Sequence, residues 1–146
     1  MVGTVLAAGI TPAGVGQDAV IWNVFGNTYS LKAHAESCFC FETLHQPGTL
    51  VPLHVHPKQD EFFYMLEGLL DLQLGSAKAQ AKPGDLVRMP KGVPHGFENN
   101  TEAPARSLFW VSPAGRLKEL FDRLPDLTDL EEAIRISAAH DVEFVR

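Results

Sequence analysis

The stretch GTLVPLHVHPKQDEFFYMLEG, from Gly48 to Gly68, decides how this chain folds. Two histidines two residues apart, His54 and His56, are followed five residues later by Glu61. Successive side chains of a β-strand alternate faces, so His54 and His56 reach the same point while Val55 looks away. Pro57 cannot donate to a strand ladder and Lys58-Gln59-Asp60 are polar, so the strand is expected to end there and the chain to turn. Glu61 then opens the apolar run Phe62-Phe63-Tyr64-Met65-Leu66, and a hairpin would bring its carboxylate beside the two imidazoles. A second stretch, GDLVRMPKGVPHGFEN from Gly84 to Asn99, adds another donor. Lys91-Gly92 between Pro90 and Pro94 reads as a turn, with His95 starting the outgoing strand. Three imidazoles and one carboxylate make the donor set of a metal site.

The two stretches fit G-x5-H-x-H-x4-E-x6-G and G-x5-P-x-G-x2-H-x3-N at every fixed position. The matching residues are Gly48, His54, His56, Glu61 and Gly68, then Gly84, Pro90, Gly92, His95 and Asn99. These are the two motifs of the cupin superfamily, which the chain therefore resembles. The resemblance implies an all-β fold, the cupin double-stranded β-helix or jelly-roll barrel, with His54, His56, Glu61 and His95 as metal ligands. Only 15 residues, Leu69 to Pro83, separate the motifs, as in small single-domain cupins. The opening metal segment and the ending SPAGRLKELFDRL resemble most the small proteins of the quercetin 2,3-dioxygenase-like group.

Working outward, ten short strands broken by Gly, Pro and Asn are expected: 20–25, 28–35, 37–44, 50–56, 61–67, 69–74, 78–81, 86–89, 95–98 and 105–111. That count suits a double-sheet jelly roll. From Pro113 the spacing turns helical. Leu117, Leu120, Phe121 and Leu124 share one face, and Pro125 ends that helix. Thr128-Asp129-Leu130-Glu131 fits a capping box that opens a second helix, with Leu130, Ile134 and Ala138 as its apolar stripe. These helices are expected against the outside of the barrel or across a dimer contact.

At 146 residues the chain reads as one domain, with a barrel core over about 18–112 and helices over about 113–140. The net charge of -6 and the absence of a basic cluster exclude nucleic acid as a partner. Met1 to Gly9 lacks a basic start, and its apolar run is broken by Gly9, Thr11 and Pro12. Neither a signal peptide nor a membrane span is expected, and a cytoplasmic protein is. Cys38 and Cys40, two apart, share one face of a strand and read as half-buried reduced residues.

Alternation places Phe63 and Met65 on the side of Glu61 and Phe97 on that of His95, which makes these three the expected substrate-binding wall of an apolar cavity. Trp22, Phe25, Phe39, Phe41, Phe109 and Trp110 have no fixed register. His34, His45 and His140 are assigned no chemistry. The donor set suits one divalent transition metal, Fe, Mn, Ni, Co, Cu or Zn, with places left for water, oxygen or substrate. Three functions follow as expectations. The first is a dioxygenase-type oxidoreductase acting on a small hydroxylated aromatic or enolisable carbonyl compound, with Glu61 as catalytic base. The second is a redox-neutral isomerase, lyase or cyclase, and the third a metal-assisted binding or sensor protein. The resemblance to small cupins, which commonly pair through an outer sheet face, implies a homodimer, with the outward-facing Phe62, Tyr64 and Leu66 covered by a second chain or by the helical tail.

Overall fold

The structure, a computed structural model, describes residues 5–145. The first four residues of the Met1–Gly9 segment lie outside the described residues. A short 3₁₀ turn at Gln17–Ala19 leads into strands β1 (Ile21–Val24), β2 (Asn27–His34), β3 (Phe39–His45), β4 (Leu50–Val55) and β5 (Asp60–Glu67). They are followed by β6 (Leu70–Leu74), β7 (Ala77–Ala81), β8 (Leu86–Met89), β9 (His95–Glu98) and β10 (Ala105–Ser112). Each lies within two residues of its expected bounds. The chain ends on helices α1 (Leu117–Arg123) and α2 (Leu130–Ala139) and the two-residue strand β11 (Glu143–Phe144).

The strands form a six-stranded sheet, β1-β2-β3-β10-β5-β8, and a five-stranded one, β11-β4-β9-β6-β7, with every pairing antiparallel. This is the cupin double-stranded β-helix. It corrects one expectation: β4 and β5 are not a hairpin. They belong to opposite sheets, so Glu61 faces the histidines across the barrel rather than from an adjacent strand. Turn residues mark where a strand stops, but not which sheet the next one joins.

Strand alternation builds the core. On β3, Phe39, Phe41, Thr43 and His45 are buried while the residues between them are only partly so. The rings of Phe63 and Phe109 stack at 4.6 Å and those of Phe41 and Phe109 at 5.3 Å, which closes the inner face of the larger sheet. Trp22, Phe39, Phe41 and Phe109 thus point inward. Trp110, partly buried, stacks at 5.4 Å on Phe62 on the outer face. Gly68, at φ +76°, is held to glycine because a Cβ there would meet Ala105 Cα at 2.8 Å.

The helical tail covers inward-facing residues, not the outside of the barrel. Phe121 of α1 lies 4.7 Å from Tyr29, 5.0 Å from Phe41 and 5.6 Å from Trp22 between ring centroids. The Trp22 indole N–H donates to Asp122 Oδ1 at 2.9 Å, tying β1 to the same helix. The cap of α2 is Asp129, whose carboxylate accepts from the N–H groups of Glu131 and Glu132. Thr128, expected to cap, lies one residue too early. The buried face of α2 is Ala133 and Ser137, whereas Leu130 is 54% exposed and Ala138 is exposed. The Leu130-Ile134-Ala138 stripe is therefore not the packed one. Among the described residues no helix is long and apolar enough to cross a membrane.

Candidate metal centre

His54 and His95 are register partners on β4 and β9, with their rings 4.4 Å apart. The β4–β9 pairing shifts register between Val51 and His54, just before this point. Gly96 permits the approach, since a Cβ there would lie 3.0 Å from the Val51 carbonyl oxygen and 3.1 Å from Leu53 N. His56 follows just past β4, and its ring stacks on that of His95 at 5.3 Å. Glu61 arrives from the opposite sheet. All four side chains are buried, and one ligand atom from each lies within 4.8 Å of every other.

The outer nitrogen of each imidazole is occupied. His54 Nδ1 lies 2.7 Å from the Pro52 carbonyl oxygen, His56 Nδ1 2.7 Å from Gln59 Oε1, and His95 Nδ1 3.2 Å from the Val93 carbonyl oxygen. A hydrogen bond to a carbonyl oxygen places a proton on Nδ1 and turns Nε2 towards the centre, where it would serve as the ligand atom for a metal. Glu61 Oε1 stands 3.0 Å from His95 Nε2 and 3.6 Å from His56 Nε2.

The electrostatics suit a cation. Burial, reinforced by the neighbouring His95 and His56, pushes the His54 pKa down to about 3, so the ring is neutral and free to donate its lone pair. For Glu61, burial pushes the other way. It is outweighed by His56, by the hydrogen bond from His95 and by the remaining imidazoles, which hold the pKa down to about 2. One buried carboxylate with three buried imidazoles around it fits a divalent transition ion by donor type, number and orientation.

Gln59 is the functional residue that sequence reading passed over. Read as part of a polar turn, it is buried, and its Oε1 accepts from His56 while its amide nitrogen donates to the carbonyls of Pro113 at 2.9 Å and Ala114 at 3.2 Å. It therefore joins a metal-centre histidine to the segment leading into α1. The signal was faint: a glutamine three residues after the second histidine. Two motif residues are structural. Gly92 N–H donates to the His56 carbonyl at 3.0 Å, and Asn99 donates to the carbonyls of His45 and Ala103.

The centre opens into a cavity of about 190 Å³ whose wall is mostly apolar. His54, His56 and Glu61 line one part of it, while Phe121 of α1 and Ile134 of α2 close it. Phe97 stands on this wall as expected. Phe63 and Met65 share the inward face but are fully buried and are not among the lining residues, and Phe63 packs behind two residues that are, Phe109 and Phe97. Tyr29 lines the cavity too, its hydroxyl kept protonated because burial and the Glu61 charge push its pKa up.

Fold and site together define a double-stranded β-helix protein with a three-histidine, one-carboxylate centre inside the barrel. Residues 41–111 match the family model described as a cupin domain, and the chain carries a cupin domain. Over 74 residues, 51% of this chain and 50% of the relative, it is 31% identical to the tetracenomycin polyketide synthase protein TcmJ of Streptomyces glaucescens. Over 79 residues, 54% of this chain and 51% of the relative, it is 30% identical to the polyketide synthase CurC of Streptomyces cyaneus. The chain thus spans about half the length of these curated relatives. Among solved structures, an RmlC-like cupin from Shewanella frigidimarina superposes with a TM-score of 0.65 at 16% identity, covering 75% of this chain and 94% of that one.

Proposed function

We propose that this protein is a metal-dependent enzyme acting on a small enolisable carbonyl or hydroxylated aromatic compound, and that its reaction is a redox-neutral proton shift of the cyclase, isomerase or lyase kind. The observation that carries this reading is the His54-His56-Glu61-His95 centre facing a largely apolar cavity that α1 and α2 cover. The four residues would hold a divalent ion, which supplies Lewis-acid polarisation of a carbonyl or phenol oxygen. The apolar wall, Phe97 included, binds the substrate's flat body and excludes water from it. Glu61 is ionised and is the one carboxylate of the centre, so it accepts a proton at Oε1 from the acidic carbon or hydroxyl and returns it to the product. The polyketide synthase names of the relatives favour this reading, because polyketide chains are rich in enolisable carbonyls.

A dioxygenase is the second reading. Three nitrogens and one oxygen leave coordination places on a redox-active ion, which is the condition that such chemistry needs. One experiment separates the two. Protein loaded with zinc or iron is given a panel of 1,3-diketones and polyphenols, aerobically and anaerobically, with oxygen uptake recorded. Anaerobic turnover by the zinc form supports the redox-neutral reading. Turnover that requires oxygen and iron supports the dioxygenase, and a bound compound recovered unchanged from every form points to a binding protein.

A further inference from the structure

The cavity has a second polar pole. Asn27 and Thr43 both line it, at 2% and 1% exposure. Asn27 Oδ1 and Thr43 Oγ1 are two of the three buried side-chain polar atoms with no hydrogen-bond partner among the described residues. A buried polar atom left unpaired is costly, and proteins rarely keep one without a use. Two on the wall of one cavity are a prepared site. Strand register explains their proximity: Thr43 pairs with Tyr29 across β3 and β2, and Asn27 lies two residues from Tyr29 on the same inner face.

Register also sets this pole apart from the metal centre. Glu61 and Phe39 both pair with Val111 of β10, and Thr43 lies four residues beyond Phe39 along β3. At 3.3–3.4 Å per residue that is an offset of about 13 Å along the sheet. Two fused rings bridge such a gap once the reach of the side chains and of the metal-bound oxygen is subtracted. An amide oxygen accepts and a hydroxyl both donates and accepts, so the complementary group is itself a hydroxyl.

We propose that Asn27 and Thr43 form a distal subsite that binds a second hydroxyl of the substrate, making the substrate a bicyclic phenol or its keto tautomer with oxygens at both ends. This rests on the metal-centred reading above and narrows its substrate class. A site built to hydrogen-bond a hydroxyl rejects the analogue that lacks it far more strongly than an apolar wall rejects a change in size.

The test compares 2-naphthol with 2,6- and 2,7-dihydroxynaphthalene by calorimetric titration of the zinc-loaded protein. We expect the better of the two diols to bind at least about tenfold tighter than 2-naphthol. In Thr43→Val and Asn27→Ala the preference should fall below about twofold, with the affinity for 2-naphthol unchanged. Equal binding of 2-naphthol and both diols by the wild type, the result expected if a water serves both atoms, overturns the subsite and leaves the metal-centred reading standing. Binding of no naphthol, or binding indifferent to zinc, overturns both. A second measurement needs neither metal nor ligand. Thr43→Val removes an unpaired hydroxyl at constant shape, so the melting temperature of the chelated protein should rise by about 3 °C. No rise, or a fall, means that the hydroxyl costs the fold nothing, and overturns the proposal.

Discussion

Gln59→Ala tests whether the barrel and its helical tail are joined through the metal centre. The substitution removes the acceptor of the His56 Nδ1 proton at 2.7 Å and two donated bonds, to Pro113 and Ala114. Net contributions of about 1 kcal/mol per hydrogen bond, with a further cost for the unpaired imidazole N–H, give a loss of about 2–4 kcal/mol. At about 3 °C per kcal/mol for a domain of this size, the melting temperature of the chelated protein falls by about 6–12 °C. Losing the partner that orients a ligating histidine also weakens metal binding by about 10–100-fold. Gln59→Glu separates the two effects. It keeps an acceptor for His56 but sets a carboxylate against two carbonyl oxygens, so stability falls while metal affinity holds. The assay is calorimetric titration with zinc, paired with thermal melts in chelator. If Gln59→Ala binds zinc as tightly as the wild type, Gln59 is only a staple for the tail and the coupling argued here is wrong.

Acid should destabilise the metal-free protein through His45 and His54. Burial, the first cause for both, lowers each to about 3 from an unfolded value near 6.5, so the stability that they contribute is present above pH 6.5 and lost as pH falls towards 3. Glu61, at about 2 against 4.5 unfolded, adds a loss only below pH 4.5. Urea unfolding between pH 6.5 and 4.5 should steepen towards about 1.4 kcal/mol per pH unit per histidine, and His45→Gln should remove one share; a flat profile refutes the argument. Phe121→Ala, which empties the aromatic contact between α1 and the barrel, should cost about 3–5 kcal/mol in thermal or urea unfolding. We also propose a homodimer through the outer face where Tyr64, Leu66 and Leu86 are exposed beside the Phe62–Trp110 stack. Light scattering after size exclusion should give twice the 16.0 kDa chain mass, and Tyr64→Glu with Leu66→Glu the chain mass itself.

The strands and the four donors were legible in the sequence because both depend on local pattern, alternation for the strands and fixed spacing for the ligands. The route of Glu61 to the centre was not. Turn residues end β4, but sheet membership is decided by contacts far along the chain, and β5 pairs with β10 and β8 rather than with β4. Strand β11 escaped notice because two residues, Glu143 and Phe144, carry no period, although Phe144 pairs with His54. The face of α2 was misread because a small residue and a serine, Ala133 and Ser137, pack inward while Leu130 borders the cavity from an exposed position. Asn27, Thr43 and Gln59 were hidden for one shared reason. Polar side chains in strands and turns ordinarily face water, and only the fold reveals that these three do not.

Metal stoichiometry tests the central claim most directly. Purified wild-type protein and the variants His54→Ala, His95→Ala and Glu61→Ala would be stripped with chelator, reloaded with cobalt(II), desalted and analysed for bound metal by mass spectrometry and by visible absorption. One cobalt per wild-type chain, with nitrogen-rich ligand-field bands and with binding lost or greatly weakened in each variant, is the predicted result. Metal content in the His54→Ala and Glu61→Ala proteins equal to that of the wild type would contradict it.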